Sequence, residues 1–164
     1  MPSTPELFRA ALGRFASGVT VVTSLDAAGR PNGLTVTAFS SVSLAPPLVM
    51  VGIDLANDSG PAIRHTGRFN VHLLKSGHEG WSRRFSERPN GADPFIGLDL
   101  GRDAHGLPCL PDPLAFLACR VVHDIPAGDH VLFIGQVEEI NVSDGDPLLY
   151  FRGGYRALDM EPSQ

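Results

Sequence analysis

Thr35, Thr37, Ser40, Ser41 and Ser43 put five hydroxyl side chains into one apolar, strand-like stretch, residues 31–49, which then runs into the double proline Pro46 and Pro47. Short hydroxyls and backbone N–H groups that converge where a strand turns over can hold an anionic phosphate without a glycine-rich loop. Strand alternation sends Thr35 and Thr37 to one face, and a bend from Ala38 to Ser41 would present amides and hydroxyls outward. The same spacing fits an ordinary half-solvated strand in which Thr serves β-propensity. The stretch alone does not choose between the two.

Other chemistries leave no trace. No G-x-G-x-x-G follows a strand, and neither a G-x-x-x-x-G-K-[ST] loop nor a G-x-S-x-G elbow occurs, which disfavours Rossmann, P-loop and hydrolase-elbow sites. The six His residues (65, 72, 78, 105, 123 and 130) show no H-E-x-x-H or paired spacing, so no metal is expected and structural or surface roles are assigned to them. Cys109 and Cys119 are the only cysteines and lie far from a C-x-x-C spacing, which reads as two buried or idle thiols.

The 164 residues suffice for one domain, 1–164, with a sizeable core. An apolar fraction of 43%, with 18 Gly and 14 Pro, points to a turn-rich, mainly β protein. The net charge of −5 is unevenly spread. Residues 61–90 carry Arg64, Arg68, Lys75, Arg83, Arg84 and Arg88 against Glu79 and Glu87, whereas residues 124–164 carry eight acids against Arg152 and Arg156. An acidic chain with one basic stretch disfavours nucleic-acid binding and leaves room either for a local anion site or for a solvated basic face. The start "MPSTPELFRAALGRF" lacks the order of a signal peptide, and no apolar run approaches the ~20 residues that cross a bilayer. A soluble, cytoplasmic protein is expected, with no membrane association.

The elements that would position the hydroxyl row follow from pattern. Thr4 and Pro5 open a helix whose Phe8, Leu12 and Phe15 form one face, an amphipathic cover for a sheet. "GVTVVTSLDAAGRPNG" reads as a strand and hairpin turn, making the hydroxyl stretch its return strand. "PLVMVGID" is a continuous apolar strand, covered on both faces or at a subunit contact. "SGPAIRHTG" reads as a short helix capped by Ser59 and ended by Gly67, and "RFNVHLL" as a half-buried strand. "SGHEGWSRRFS" has capping-box order from Ser76 to Glu79 and sets Trp81 and Phe85 one turn apart. Residues 87–115 read as a long irregular loop, and "FLACRVVHDI", "HVLFIGQVEEINV" and "PLLYFRGGYRAL" return to strands. At least six strands with three short helices and no βαβ rhythm predict a closed antiparallel barrel with helical additions.

The order "NGLTVTAFSSVSLAPPLVMVGI", "NDSGPAI", "GRFNVHLL", "ACRV", "GDHVLFIGQV", "PLLYFRGGY" resembles the flavin reductase family of the FMN-binding split-barrel fold, from about Phe8 to Leu158. The resemblance implies an antiparallel six-stranded Greek-key split β-barrel and NAD(P)H:flavin oxidoreductase activity, with FMN or FAD and NADH or NADPH. It further implies a homodimer and reduced flavin delivered to a separate monooxygenase component. Residue by residue it sets Asn32, Gly33 and Thr35 along the isoalloxazine, and Thr37, Ala38, Ser40 and Ser41 at the ribityl-phosphate arm. Asn57 and Ser59 would add donors at a helix N-terminus, although Gly60 and Pro61 stand where the family often has further hydroxyls. Phe85 would pack near the flavin or in the core beside Trp81, Arg83 and Arg84 could meet the dinucleotide or solvent, and Tyr155 and Arg156 would approach the site from the C-terminal stretch.

"GDHVLF" delivers His130 to the start of a strand. By resemblance it sits where the nicotinamide docks and is the candidate catalytic residue, and from its neighbours alone it is a turn histidine bonded to Asp129. The implied reaction passes a hydride from nicotinamide C4 to flavin N5, which requires no side-chain nucleophile. Two other functions remain open at this point: an FMN-retaining binding or electron-transfer module without NAD(P)H oxidation, and a reductase serving another acceptor such as ferric iron or a corrinoid.

Overall fold

The computed structural model describes residues 2–87 and 91–158. After helix α1 (Pro5–Leu12) and the short β1 (Ser17–Gly18), the hairpin β2 (Thr20–Leu25) and β3 (Pro31–Val36) leads into β4 (Phe39–Leu44) and β5 (Pro47–Asp54). Helix α2 (Ser59–Thr66), β6 (Arg68–Leu73) and helix α3 (Glu79–Ser86) follow. The small hairpin β7 (Gly101–Arg102) and β8 (Pro108–Cys109) precedes the long strands β9 (Ala115–Ala127) and β10 (His130–Val142), and β11 (Leu149–Phe151) and β12 (Gly154–Arg156) close the chain.

One seven-stranded antiparallel sheet runs in the order β3-β2-β6-β9-β10-β5-β4. The barrel is therefore split rather than closed: β3 and β4, consecutive in sequence, are its two edges. The chain turns between them at Thr37 and Ala38, and the Gly52 N–H donates to the Ala38 carbonyl at 2.9 Å, tying that corner to β5. The ends of β2, β5 and β9 and the starts of β3, β6 and β10 lie at one end of the barrel, as the pairings Leu25↔Pro31, Thr23↔Asn70, Arg68↔Arg120, His130↔Ala127 and His130↔Asp54 require.

Both faces of this sheet are covered. Val22, Leu34, Val36, Val51, Ile53, Phe69 and Phe133 fill the barrel. Val19, Val21, Leu74, Phe85, Phe95, Leu110 and Leu148 make a second cluster outside it, under α3 and the 91–110 segment. Two-sided burial explains why β2 is buried from Thr20 through Ser24 and why β6, expected to be half-buried, hides Asn70 and His72 as well. β5 lies between β10 and β4 with Val49, Val51 and Ile53 in the barrel, while Leu48 and Met50 on its other face are half-buried.

Local signals fare unevenly. The Thr4 hydroxyl caps α1 by accepting from the Leu7 N–H at 3.3 Å, yet no residue of that helix is buried, and Phe8, Leu12 and Phe15 are exposed. The expected cover for a sheet is thus an uncovered apolar face. Helix α2 ends at Gly67 with φ 64°, a left-handed cap that favours glycine, but its N-cap is Asp58, with Ser59 already inside the helix. The capping box from Ser76 does not form, because α3 begins at Glu79 behind His78, with no side-chain cap. Within the expected loop, residues 88–90 lie outside the described residues, β7 and β8 pair, and Phe95, Leu107 and Leu110 are buried.

The uneven charge resolves into partnership. Arg64 pairs with Asp124, Lys75 with Asp112 at 2.6 Å, and Glu138 takes both Arg68 and Arg120 at 2.7 and 2.9 Å. Much of the basic stretch therefore faces acids from later in the chain. Cys119 is buried in the barrel and its thiol is pushed up to about 12, while desolvation pushes Cys109 to about 11, so both stay protonated at neutral pH.

His72 is fully buried beside Phe116 and bonded on both ring nitrogens. The Leu110 N–H donates to Nε2 at 3.1 Å, so Nδ1 carries the proton and donates to the Val21 carbonyl at 3.1 Å. Desolvation holds its pKa down at about 4, whereas the unfolded chain titrates near the ordinary imidazole value of 6.5. A folded-state pKa below the unfolded value means the unfolded chain binds the extra proton, so stability is lost as pH falls from about 6.5 towards 4. Urea unfolding across that window should show a loss of about 3 kcal/mol, which His72→Gln should largely abolish while lowering stability at pH 7.

Candidate functional site

β3 carries the candidate residues Asn32, Gly33 and Thr35, and its two faces meet different surroundings. Leu34 and Val36 point into the barrel, whereas Gly33 lies beneath α3, where a Cβ would meet Phe95 Cζ at 3.1 Å, the Val22 carbonyl at 3.1 Å and Phe85 Cε1 at 3.2 Å. A side chain at this position would require the neighbours to give by a few tenths of an ångström. A recess of about 630 Å³ opens at the start of the strand, lined by Asp26, Arg30, Asn32, Gly33, Asp58 and Phe95. A second cleft of about 510 Å³ opens further along, lined by Thr35, Thr37, Ser82, Arg83, Tyr150 and Tyr155.

At the end of the barrel, three expected residues meet directly. The buried Ser59 hydroxyl donates to Asn32 Oδ1, and Asn57 Oδ1 accepts from the Ser59 N–H at 2.9 Å. The Asn57 carbonyl also takes the Gly60 N–H at 3.4 Å, and residue 61 is proline. The N–H groups that a helix N-terminus would offer an anion are thus engaged within the chain, and the N-cap Asp58 is itself acidic. The Ser59 hydroxyl and N–H are thus spent on Asn32 and Asn57, and Ser59 braces Asn32. His130 lies at the same end, opposite Asp54, and the Leu55 N–H donates to the Asp129 carbonyl at 2.9 Å, linking its turn to the loop before α2. His130 Nδ1 lies 2.7 Å from Asp129 Oδ1, and this hydrogen bond holds the Asp129 carboxyl below the usual carboxylate range.

Thr37, Ala38, Ser40 and Ser41 are exposed at the corner and on the edge strand β4, where one row of backbone N–H and C=O groups has no strand beside it. The Ser40 hydroxyl turns back to the Ser41 carbonyl at 3.0 Å. Thr35 faces α3 and donates its hydroxyl to the Ser82 carbonyl at 2.6 Å. Phe85 is 1% exposed, edge-on to Phe95 with centroids 5.1 Å apart and 6.3 Å from Trp81. Its ring is covered by protein, which corrects a flavin contact to a core role beneath Gly33. Of the paired arginines, Arg84 is held by the Pro94 carbonyl at 2.6 Å and by the Ile96 carbonyl, whereas Arg83 lies over the Tyr155 ring at 5.2 Å. Ser82 joins this cleft without any sequence motif to announce it, because a mid-helix serine has no distinctive spacing.

The comparisons with known proteins bear on this geometry. Residues 12–159 match the flavin reductase like domain. The chain belongs to that family. It is 40% identical over 161 residues to an NADH-dependent flavin reductase of a Rhodococcus species, spanning 96% of this chain and 88% of that one. It is 41% identical over 154 residues to the reductase component of a 4-hydroxyphenylacetate 3-monooxygenase of Thermus thermophilus, spanning 93% and 96%. Among solved structures, an NADH:FAD oxidoreductase of Streptomyces globisporus superposes with a TM-score of 0.89 at 30% identity, over 98% of this chain and 96% of that one.

Removing the acceptor in Asn32→Ala leaves the buried Ser59 hydroxyl unpaired, and should cost about 1–3 kcal/mol in urea unfolding. Ser59→Ala in the same background should recover part of that loss.

Proposed function

We propose that a flavin is held along β3 and the corner that follows it, with its phosphate on the exposed hydroxyls and edge N–H groups of residues 37–41. The observation that carries this reading is the placement of the hydroxyl row on two free sheet edges flanked by clefts of about 510 and 630 Å³, each of ordinary size for a small-molecule site. The activity is NAD(P)H:flavin oxidoreduction with reduced flavin passed to a partner monooxygenase, as in the family. NADH is the donor favoured by the names of the Rhodococcus and Streptomyces globisporus relatives.

When bound, the flavin supplies a hydride acceptor, so the chain needs no nucleophile of its own. Its residues bind and orient. Asn32, braced by Ser59, stands at the end of the barrel, and Ala38, held by Gly52, shapes the corner. His130 is fixed by Asp129 at that same end, placed to orient a nicotinamide rather than to act as an indispensable acid. NADH absorbance should fall only when FMN or FAD is added to the purified protein. Retained colour without NADH oxidation would instead mark a binding or electron-transfer module. His130→Ala should raise the KM for NADH or lower kcat at least several-fold, with flavin binding intact; unchanged kinetics would remove His130 from the site.

No helix among the described residues is long and apolar enough to cross a membrane, and we place the protein in the cytoplasm, where nicotinamide nucleotides are available. A homodimer follows from the apolar groups the chain leaves uncovered: Leu7, Phe8, Leu12 and Phe15 around α1, and Val42 and Leu44 on β4. A sizing column at micromolar concentration should report a dimer, and a monomer alone would overturn it.

A further inference from the structure

Ser82 sits on α3 at 2% exposure and holds two walls of the 510 Å³ cleft at once. Its Oγ accepts the Tyr155 hydroxyl proton at 2.8 Å, and its carbonyl accepts the Thr35 hydroxyl proton at 2.6 Å. These residues come from β12 and β3, far apart in sequence, and both line the same cleft. A hydroxyl has one proton to give. With both protons committed to Ser82, Tyr155 Oη and Thr35 Oγ1 can present only lone pairs to a ligand. The Arg83 guanidinium over the Tyr155 ring holds that ring from its other side.

We infer that Ser82 turns this wall of the cleft into a hydrogen-bond acceptor surface, which selects a planar amide N–H donor: the imide N–H of a flavin or the carboxamide NH2 of a nicotinamide. The inference rests on the flavin reductase reading for the identity of the ligands. It runs against the simplest use of the hydroxyl row, because Thr35 as bonded cannot donate to a phosphate. The anion is left to residues 37–41, which carry no such commitment to α3. Ser82 is a positioning residue here, acting through Tyr155.

Two analogue pairs, each differing in the donor, test this by binding alone. Flavin fluorescence quenching compares FMN with N3-methyl-FMN, and calorimetry with FMN present compares NAD+ with 3-acetylpyridine adenine dinucleotide, which keeps the carbonyl and lacks the NH2. Wild-type protein should disfavour the donor-less analogue of one pair by about tenfold or more, and the pair affected names the occupant. Ser82→Ala frees the Tyr155 proton to point into the cleft and should shrink that discrimination several-fold at unchanged melting temperature. Tyr155→Phe, which needs no buried change, should do the same while keeping the ring under Arg83. A merely steric effect of the N3-methyl group would survive both substitutions. Equal binding within both pairs, or discrimination untouched by either substitution, overturns the inference. Failure of wild-type protein to bind FMN at all would instead remove the flavin reading, and the inference would then stand or fall on the nicotinamide pair.

Discussion

The close approach of α3 to β3 at Gly33 sets the rest of the molecule. A Cβ there would lie 3.1 to 3.2 Å from Phe95, the Val22 carbonyl and Phe85, so a side chain would require those neighbours to shift by a few tenths of an ångström. The contact seals one face of β3 while Leu34 and Val36 seal the other. What remains open to a ligand is the free edge of the strand, the corner at Thr37 and Ala38, and the clefts on either side of the helix. Burial on two faces thus leaves little of β3 open: Asn32 and Thr35, which line the two clefts, are its partly exposed side chains beyond Pro31.

The same two-sided packing organises the polar groups. Among the groups caught inside it, His72 is paired through Val21 and Leu110, and Ser59 through Asn32 and Asn57. An unpaired polar group at such depth costs far more than a pair gains, so these networks act as fixed parts of the scaffold. Outside it, Thr37 and Ser41 are exposed, while the Ser40 hydroxyl is bonded only locally, to the Ser41 carbonyl. The division between scaffold and site follows depth, not residue type, since serine and threonine serve in both.

Much of this was legible in the sequence. The β2–β3 hairpin followed from Asp26 and Gly29, the α2 stop from Gly67, and the family from motif order across nearly the whole chain. The missing parts have a common cause, which is tertiary. Periodicity gave α1 an apolar face but not what it faces, and alternation could not reveal that β6 has a core on each side. Strand period placed Thr35 and Thr37 together, yet only the arrival of α3 shows that Thr35 is occupied by Ser82 while Thr37 is exposed. Helix-terminus chemistry at Ser59 was a sound expectation until Asn57 took the same N–H groups from within the chain. Ser82 itself was invisible because its role lies in two bonds to residues 47 and 73 positions away.

The pairing of β5 with β10 has a consequence for how the chain comes into being. Residues 48–54 are paired by a strand that starts at residue 130, and β6 reaches its neighbour β9 only from residue 115 onward. Contacts of such long separation in sequence form late, after the entropy of closing large loops has been overcome. A nascent chain that has emerged only as far as α3 therefore holds most of the ligand-facing residues and none of the two long strands that frame them. Closure of the sheet around these residues waits on β9 and β10, residues 115 to 142.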